Sequence, residues 1–387
     1  MSKNCVRHKM IKKVGDGFKL SDDSKGYEAI MKLNHAIERY GARGYFASAN
    51  TAGGFYSLFG EVYDEKKYKA VYILKGGPGT GKSTLMDTIA ARAEREGYGF
   101  EALLCSSDAG SLDGIIIDEL GTAILDGTAP HCHDPYYPGV CGNIINLGAY
   151  WNEDELKEHR GEIEVLFFDK SNAYARAYRL LHAAGAARGD VINAYERAAD
   201  TIKTDAAVKR LMRQLLGHGT RGAETRRFIS AYSTIGNVRL DTLDKMAKTT
   251  VTVSFNHGAG YIYMDRLREA SRGLSATVCP DALLPEHCEA VYFPEEKVLY
   301  KLADGDEYEN GDVRVNSARF ISTEAIRQNR AKIRFSEKIT ETLTEEALSS
   351  LADAGRIHAE IETIYTPAMD FKGVTETARA LEEKIFS

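Results

Sequence analysis

The chain has 387 residues, 43% of them hydrophobic and 27% charged, with a formal net charge of −6 at pH 7. That is apolar material for two or three cores, and the mildly acidic balance gives no bulk electrostatic support for nucleic-acid binding. No run of eighteen apolar residues occurs, and the basic start "KNCVRHKMIKK" lacks the apolar centre of a signal peptide, so no membrane span is expected and the expected compartment is the cytoplasm.

Residues 1–40 read as a preface, with turn signals at "VGDGF" and "SDDSKG" and a short helix over 27–40. An α/β part is predicted over 41–150. In it, "YKAVYIL" has strand length and is followed by "KGGPGTGKST" (75–84) and then by the helical "TLMDTIAARAERE". The order G-x-x-x-x-G-K-[ST], set between a strand and a helix, predicts a phosphate-binding loop. Gly76, Gly77, Gly79 and Gly81 let successive N–H groups turn toward an anion, with Pro78 and Thr80 between them. The helix beginning at Lys82 adds its N-terminal dipole, with Thr84 in its first turn. Lys82 is expected on the β- and γ-phosphates of ATP, and the Ser83 hydroxyl on Mg²⁺.

Such a loop needs an acidic residue at the end of a neighbouring strand. "GIIIDEL" offers Asp118, with Glu119 as a general base, and "TAILDGTAPH" offers Asp126 before a Gly turn. A parallel crossover takes about a dozen residues, so "ELGT" cannot join two parallel strands, and at most one of the two lies beside the loop strand. Asp126 is preferred, because a turn just past a strand end opens toward the ligand face of a doubly wound sheet. "CSSDAGSLDG" ends near the same face, where Asp108 or Asp113 would accept a proton or simply form a turn. His131 reads as a polar loop histidine before a catalytic one.

The six cysteines (Cys5, Cys105, Cys132, Cys141, Cys279, Cys288) form no C-x-x-C pair and are expected as free thiols. In "HCHDPYYPGVC", His131, Cys132, His133 and Cys141 cluster without the spacing of a zinc finger or ribbon.

A helical part is expected over 151–225, with "GHGTRGAE" (217–224) as the linker. The chain then repeats itself. A gapless shift of 170 sets Asn146 on Asn316, Arg160 on Arg330, Leu181 on Leu351, and "YERAAD" (195–200) on "YTPAMD" (365–370). Upstream, "VYILKGGPGTGKSTLMD" faces "VTVSFNHGAGYIYMD", which keeps Gly258 and Gly260 but no lysine or hydroxyl. The fold class is therefore a duplicated α/β doubly wound parallel sheet. Each half is followed by a helical part, with a degenerate α/β copy over 226–320 and helices over 321–387.

With "FASANTAGGFYSLF", "ILKGGPGTGKSTLM", "CSSDAGSLDGIII", "DGTAPH" and "DPYYPG" in view, the chain resembles a family of uncharacterised bacterial ATP-binding proteins, tandem P-loop proteins related broadly to AAA-like ATPases. The resemblance spans nearly everything from residue 41. It implies a predicted ATPase without an assigned substrate. In that family a proline often stands where this chain has Asp118, which supports Asp126, whereas "FNHGAG" departs from the better second loop of some members.

Three functions compete. The first is a Mg²⁺-dependent ATPase whose silent half completes the active one as an internal pseudo-dimer, with Arg226, Arg227 and Arg266 as candidate arginines across the interface. The second is a small-molecule or nucleotide kinase, and the third a nucleotide-gated binding switch with an unidentified partner. No N-K-x-D element reads guanine, and no aromatic-and-basic stretch marks a helicase.

Overall fold

The computed structural model describes residues 24–129 and 133–387, so His131 and Cys132 lie outside the described residues, as do Cys5 and the turn signal "VGDGF". Of "SDDSKG", Ser24 to Gly26 are helical where the sequence signals a turn. Helix α1 (Ser24–Tyr40) buries Leu33, Ala36, Ile37 and Tyr40, spaced three and four apart along one face. It leads into β1 (Gly44–Phe46), the hairpin of β2 (Ser48–Thr51) and β3 (Gly54–Ser57), and the one-turn α2 (Phe59–Val62). Then come β4 (Ala70–Lys75), α3 (Lys82–Glu96), β5 (Glu101–Leu104), β6 (Leu112–Ile117), β7 (Thr122–Asp126) and β8 (Gly142–Asn146).

These strands form a six-stranded sheet in the order β1-β5-β6-β7-β4-β8. Val71 to Leu74 of β4 are buried without alternation, as a central strand covered on both faces requires. The sheet is mixed, which corrects the fully parallel one expected. Strand β6 runs antiparallel to β5 and β7, while β7 and β8 flank β4 in parallel. The short "ELGT" connection is the physical reason, since so tight a turn can only reverse the chain.

After β8 come α4 (Glu153–Glu158), the 39-residue α5 (Arg160–Ala198) and α6 (Thr201–Leu216). The second half repeats the series with β9 (Glu224–Arg226), β10 (Ser230–Ser233), β11 (Gly236–Arg239), α7 (Thr242–Met246), β12 (Thr249–Ser254), α8 (Ala259–Ala270), β13 (Ala276–Pro280), β14 (Cys288–Phe293), β15 (Val298–Ala303), α9 (Gly305–Glu309) and β16 (Val313–Val315). Helices α10 (Thr323–Tyr365) and α11 (Phe371–Phe386) close the chain. Its sheet order, β9-β13-β14-β15-β12-β16, matches the first strand for strand.

The halves meet as a two-fold pair. The Phe46 N–H donates to Phe228 O at 2.8 Å, and the Phe228 N–H returns to Phe46 O at 2.9 Å. The Asp200 N–H donates to Phe320 O at 2.8 Å, and its counterpart at a shift of 170, Asp370, donates to Tyr150 O at 2.9 Å. Both aspartates then accept backbone N–H groups as N-caps, of α6 and α11 respectively.

The helical arms cross over. An α5 of 39 residues is about 58 Å long, far enough to carry the chain beyond its own sheet. Helices α5 and α10 run antiparallel along each other, with Arg176 on Glu346 at 3.0 Å and Ala177 and Ala347 fully buried. Helix α11 lands on α3, and α6 on α8. Val374, Leu381 and Ile385 of α11 therefore belong to the first half's core, and Val208, Met212 and Leu216 of α6 to the second's. Among the described residues, no helix is long and apolar enough to cross a membrane.

Candidate functional site

The loop between β4 and α3 carries the densest group of polar contacts predicted from sequence. Gly79 and Gly81 take φ of +68° and +82°, so the chain can curl into the N-terminus of α3 only with glycine there. The Lys82 ammonium donates to Gly76 O at 2.7 Å and Gly77 O at 2.9 Å, and lies 3.7 Å from Asp126 Oδ2. Thr80 Oγ1 donates to Gly77 O at 3.0 Å. Thr128 ties the next strand end in, its hydroxyl donating to Gly76 O and its N–H to Asp126 Oδ1, each at 2.8 Å.

Asp126 ends β7 directly beside β4. Burial pushes its carboxyl up, the Lys82 charge pulls it back, and the charge of buried Asp113 pushes it up again. Ser83 Oγ accepts the Leu112 N–H at 2.9 Å, which joins the start of α3 to the start of β6. Lys75 turns away to Gly127 O, His133 O and Asp134, each within 2.9 Å.

Other expected residues lie elsewhere. Asp118 and Glu119 are exposed in the turn after β6, at the end of the sheet where β4 begins, and Glu119 Oε1 accepts the Gly99 N–H at 3.1 Å. The structure does not bring them to the loop, because antiparallel β6 delivers its last residues to the opposite end. Asp108 stabilises its own turn, accepting Ser111 Oγ at 2.7 Å and the Gly110 N–H at 3.3 Å. Arg226 pairs with Glu61, Arg227 with Glu101 at the start of β5, and Arg266 with Asp205 at 3.8 Å. None of the three arginines has a partner on the loop. Cys141 Sγ lies 3.6 Å from Glu65 Oε2, and no group of three metal-ligating side chains forms among the described residues.

The loop is roofed by Trp151 of its own half and by the ends of α10 and α11 from the other. The Trp151 ring lies over Gly77, where an added Cβ would sit 3.1 Å from it. A Cβ on Gly79 would be 2.6 Å from Thr366 Oγ1 at the end of α10, and Gly81 faces Phe371 and Val374 of α11. The Gly79 N–H also faces the Glu362 carboxyl. Burial raises that carboxyl, while Lys32, the Gly79 N–H and Lys82 pull it down and Asp108 pushes it up. His358, one turn earlier, has Nε2 3.7 Å from Glu362 Oε1 and accepts Lys170 Nζ at 3.2 Å. Burial and the nearby lysines hold His358 down at about 4, so it is neutral at pH 7 and the contact with Glu362 is not an ion pair.

Sequence reading missed Glu362, His358 and Thr366. The one signal was the internal comparison: at a shift of 170 they stand where α5 has Ile192, Arg188 and Glu196.

The second loop is built differently. The shift between the halves is 180 at the strand (Val71 and Val251) and 178 at the helix (Asp87 and Asp265), so this loop is two residues shorter. Gly260 stands at the position of Lys82, and Tyr261 at that of Ser83. Tyr261 is fully buried, with its hydroxyl on Asp281 Oδ2 at 2.7 Å and Arg188 at 3.2 Å. Ile192 and Tyr195 of α5 close over Gly258. Comparison with known proteins found no matching family model, no matching curated protein and no matching solved structure.

Proposed function

We propose that loop 75–84 cradles the phosphates of ATP, and that the protein is a Mg²⁺-dependent ATPase with one nucleotide site per chain and one silent half. The observation that carries this reading is the Lys82 ammonium at the N-terminus of a 15-residue helix, held by two loop carbonyls and 3.7 Å from Asp126. With ATP present, Lys82 exchanges those carbonyls for β- and γ-phosphate oxygens, and the loop N–H groups and helix dipole take up the remaining charge.

The oxygen donors beside the loop fit a hard cation. Ser83 offers a hydroxyl, and the Asp113 charge opposes ionisation of Asp126, a repulsion that a divalent ion relieves. Ser83 and Asp126 would hold Mg²⁺, which when bound neutralises phosphate charge. Asp126 is oriented by the Thr128 N–H, and Trp151, Thr366 and Phe371 stand against the half-buried loop.

One observation favours a nucleotide-gated switch as the second reading. The three expected arginines are all engaged elsewhere, and Thr366, Phe371 and Val374 of the other half stand against the loop, so nucleotide entry acts on that half whether or not turnover is fast.

Lys82→Ala tests the cradle. It should weaken ATP binding measured by calorimetry about 10- to 100-fold, the worth of a hydrogen-bonded charge, and abolish phosphate release. Retained ATP affinity in that variant overturns the assignment.

A further inference from the structure

We propose that Glu362 is a built-in competitor for the phosphate site: a carboxylate, delivered from the other half by α10, that occupies the Gly79 side of the cradle until a nucleotide phosphate displaces it and shifts the end of α10. This rests on the reading of loop 75–84 as a phosphate cradle.

The geometry comes first. Thr366 is one turn beyond Glu362 on α10 and presses on Gly79, which fixes that face of the helix against the loop. The Glu362 carboxyl then faces the Gly79 N–H, within the field of Lys82 and Lys32. These are the groups that would meet a phosphate oxygen. A carboxylate and a phosphate are both acceptor-only anions, so one N–H cannot serve both, and their charges repel at close range.

The silent half is an internal control. At a shift of 170 the same turn of helix carries Ile192, buried at 3% exposure with its Cγ1 3.7 Å from an added Gly258 Cβ. Packing of this helix on this loop therefore needs no carboxylate, and an apolar side chain fills the place well. At this helix position the acid stands only on the half that keeps the lysine; the second loop meets a different carboxylate of α10, Glu337, through His257 at 2.6 Å.

The contact is wired to both arms. His358 Nδ1 accepts Lys170 Nζ from α5, so a shift of Glu362 and its helix turn is felt by the antiparallel partner. Trp151 is the single tryptophan of the chain and lies over Gly77, with its ring 5.9 Å from that of Tyr365, where it reports on the same movement.

The test is titration of the full chain with ATP and Mg²⁺, followed by calorimetry and by Trp151 emission, in wild type, Lys82→Ala, Glu362→Gln and Glu362→Ala. A competitor seated nine-tenths of the time lowers apparent affinity about tenfold, so both Glu362 variants should bind ATP about tenfold more tightly than wild type. Their emission without ATP should resemble that of ATP-loaded wild type. Unchanged or weaker affinity in both variants, with wild-type binding that still depends on Lys82, overturns the competitor and leaves the cradle standing. Unchanged affinity with lost turnover also overturns it, making Glu362 a water-activating base. No ATP binding in wild type or in either Glu362 variant overturns the cradle and this inference together.

Discussion

At Asp126 opposing influences compete over one proton. Burial and the Asp113 charge favour the neutral acid, Lys82 and the hydrogen bonds from Thr128 favour the carboxylate, and the net result is a raised pKa. The folded state then holds that proton more tightly than the unfolded chain does. The stability that this one group contributes is fully present at low pH and is lost as pH rises from the ordinary aspartate value through the raised one. Asn keeps the acceptor for the Thr128 N–H without the cost of a buried charge. Asp126→Asn should therefore melt no lower than wild type at pH 7 while losing about 100-fold in Mg²⁺-dependent phosphate release, a loss typical of removing one electrostatic group. Asp118→Asn, at the far end of the sheet, should change neither quantity. The reverse pattern in the two variants would restore Asp118 to the site. From sequence, the four-residue connection tells only that at most one of these carboxylates ends a strand beside β4. The preference for Asp126 rests on the Gly turn after it, and the strand directions place Asp126 beside β4 and Asp118 at the far end.

At the scale of elements, strand β4, its loop and α3 were legible because each carries a local signal: an apolar run, a glycine pattern and a helical period. The roof over the loop carries no such signal. Thr366 and Glu362 sit on a 43-residue helix more than 270 residues downstream, and their meeting with Gly79 is decided by how α5 and α10 cross. That meeting can be measured by substitution. Gly79 and Gly97 both have positive φ, +68° and +85°, but an added Cβ meets Thr366 at 2.6 Å in the first and nothing within 4 Å in the second. Each Gly→Ala change should cost about 1–2 kcal/mol of backbone strain. Gly79→Ala should cost more than Gly97→Ala in urea unfolding, and Thr366→Ala should remove the excess. Equal costs for the two glycines would mean that α10 does not press on the loop.

The whole molecule behaves as a two-fold pair folded from one chain. Each sheet is covered partly by the arm of the other half, so a fragment cut in the 217–224 linker leaves α6 without α8 and leaves the first core without Val374, Leu381 and Ile385. Fragments 1–220 and 221–387 should each lack a cooperative thermal transition alone and recover one when mixed; independent melting of either fragment would contradict the exchange of arms. By itself the sequence determined the duplication, the strand–loop–helix around 75–84 and the loss of lysine and hydroxyl in the second copy. All of these are patterns of residue type at fixed spacing, and local geometry suffices to read them. Only the tertiary structure decided that the sheets are mixed, that the arms exchange, and that Glu362 faces the first loop while Ile192 packs on the second. Those outcomes depend on where a helix about 58 Å long delivers its far end, and no local spacing encodes that.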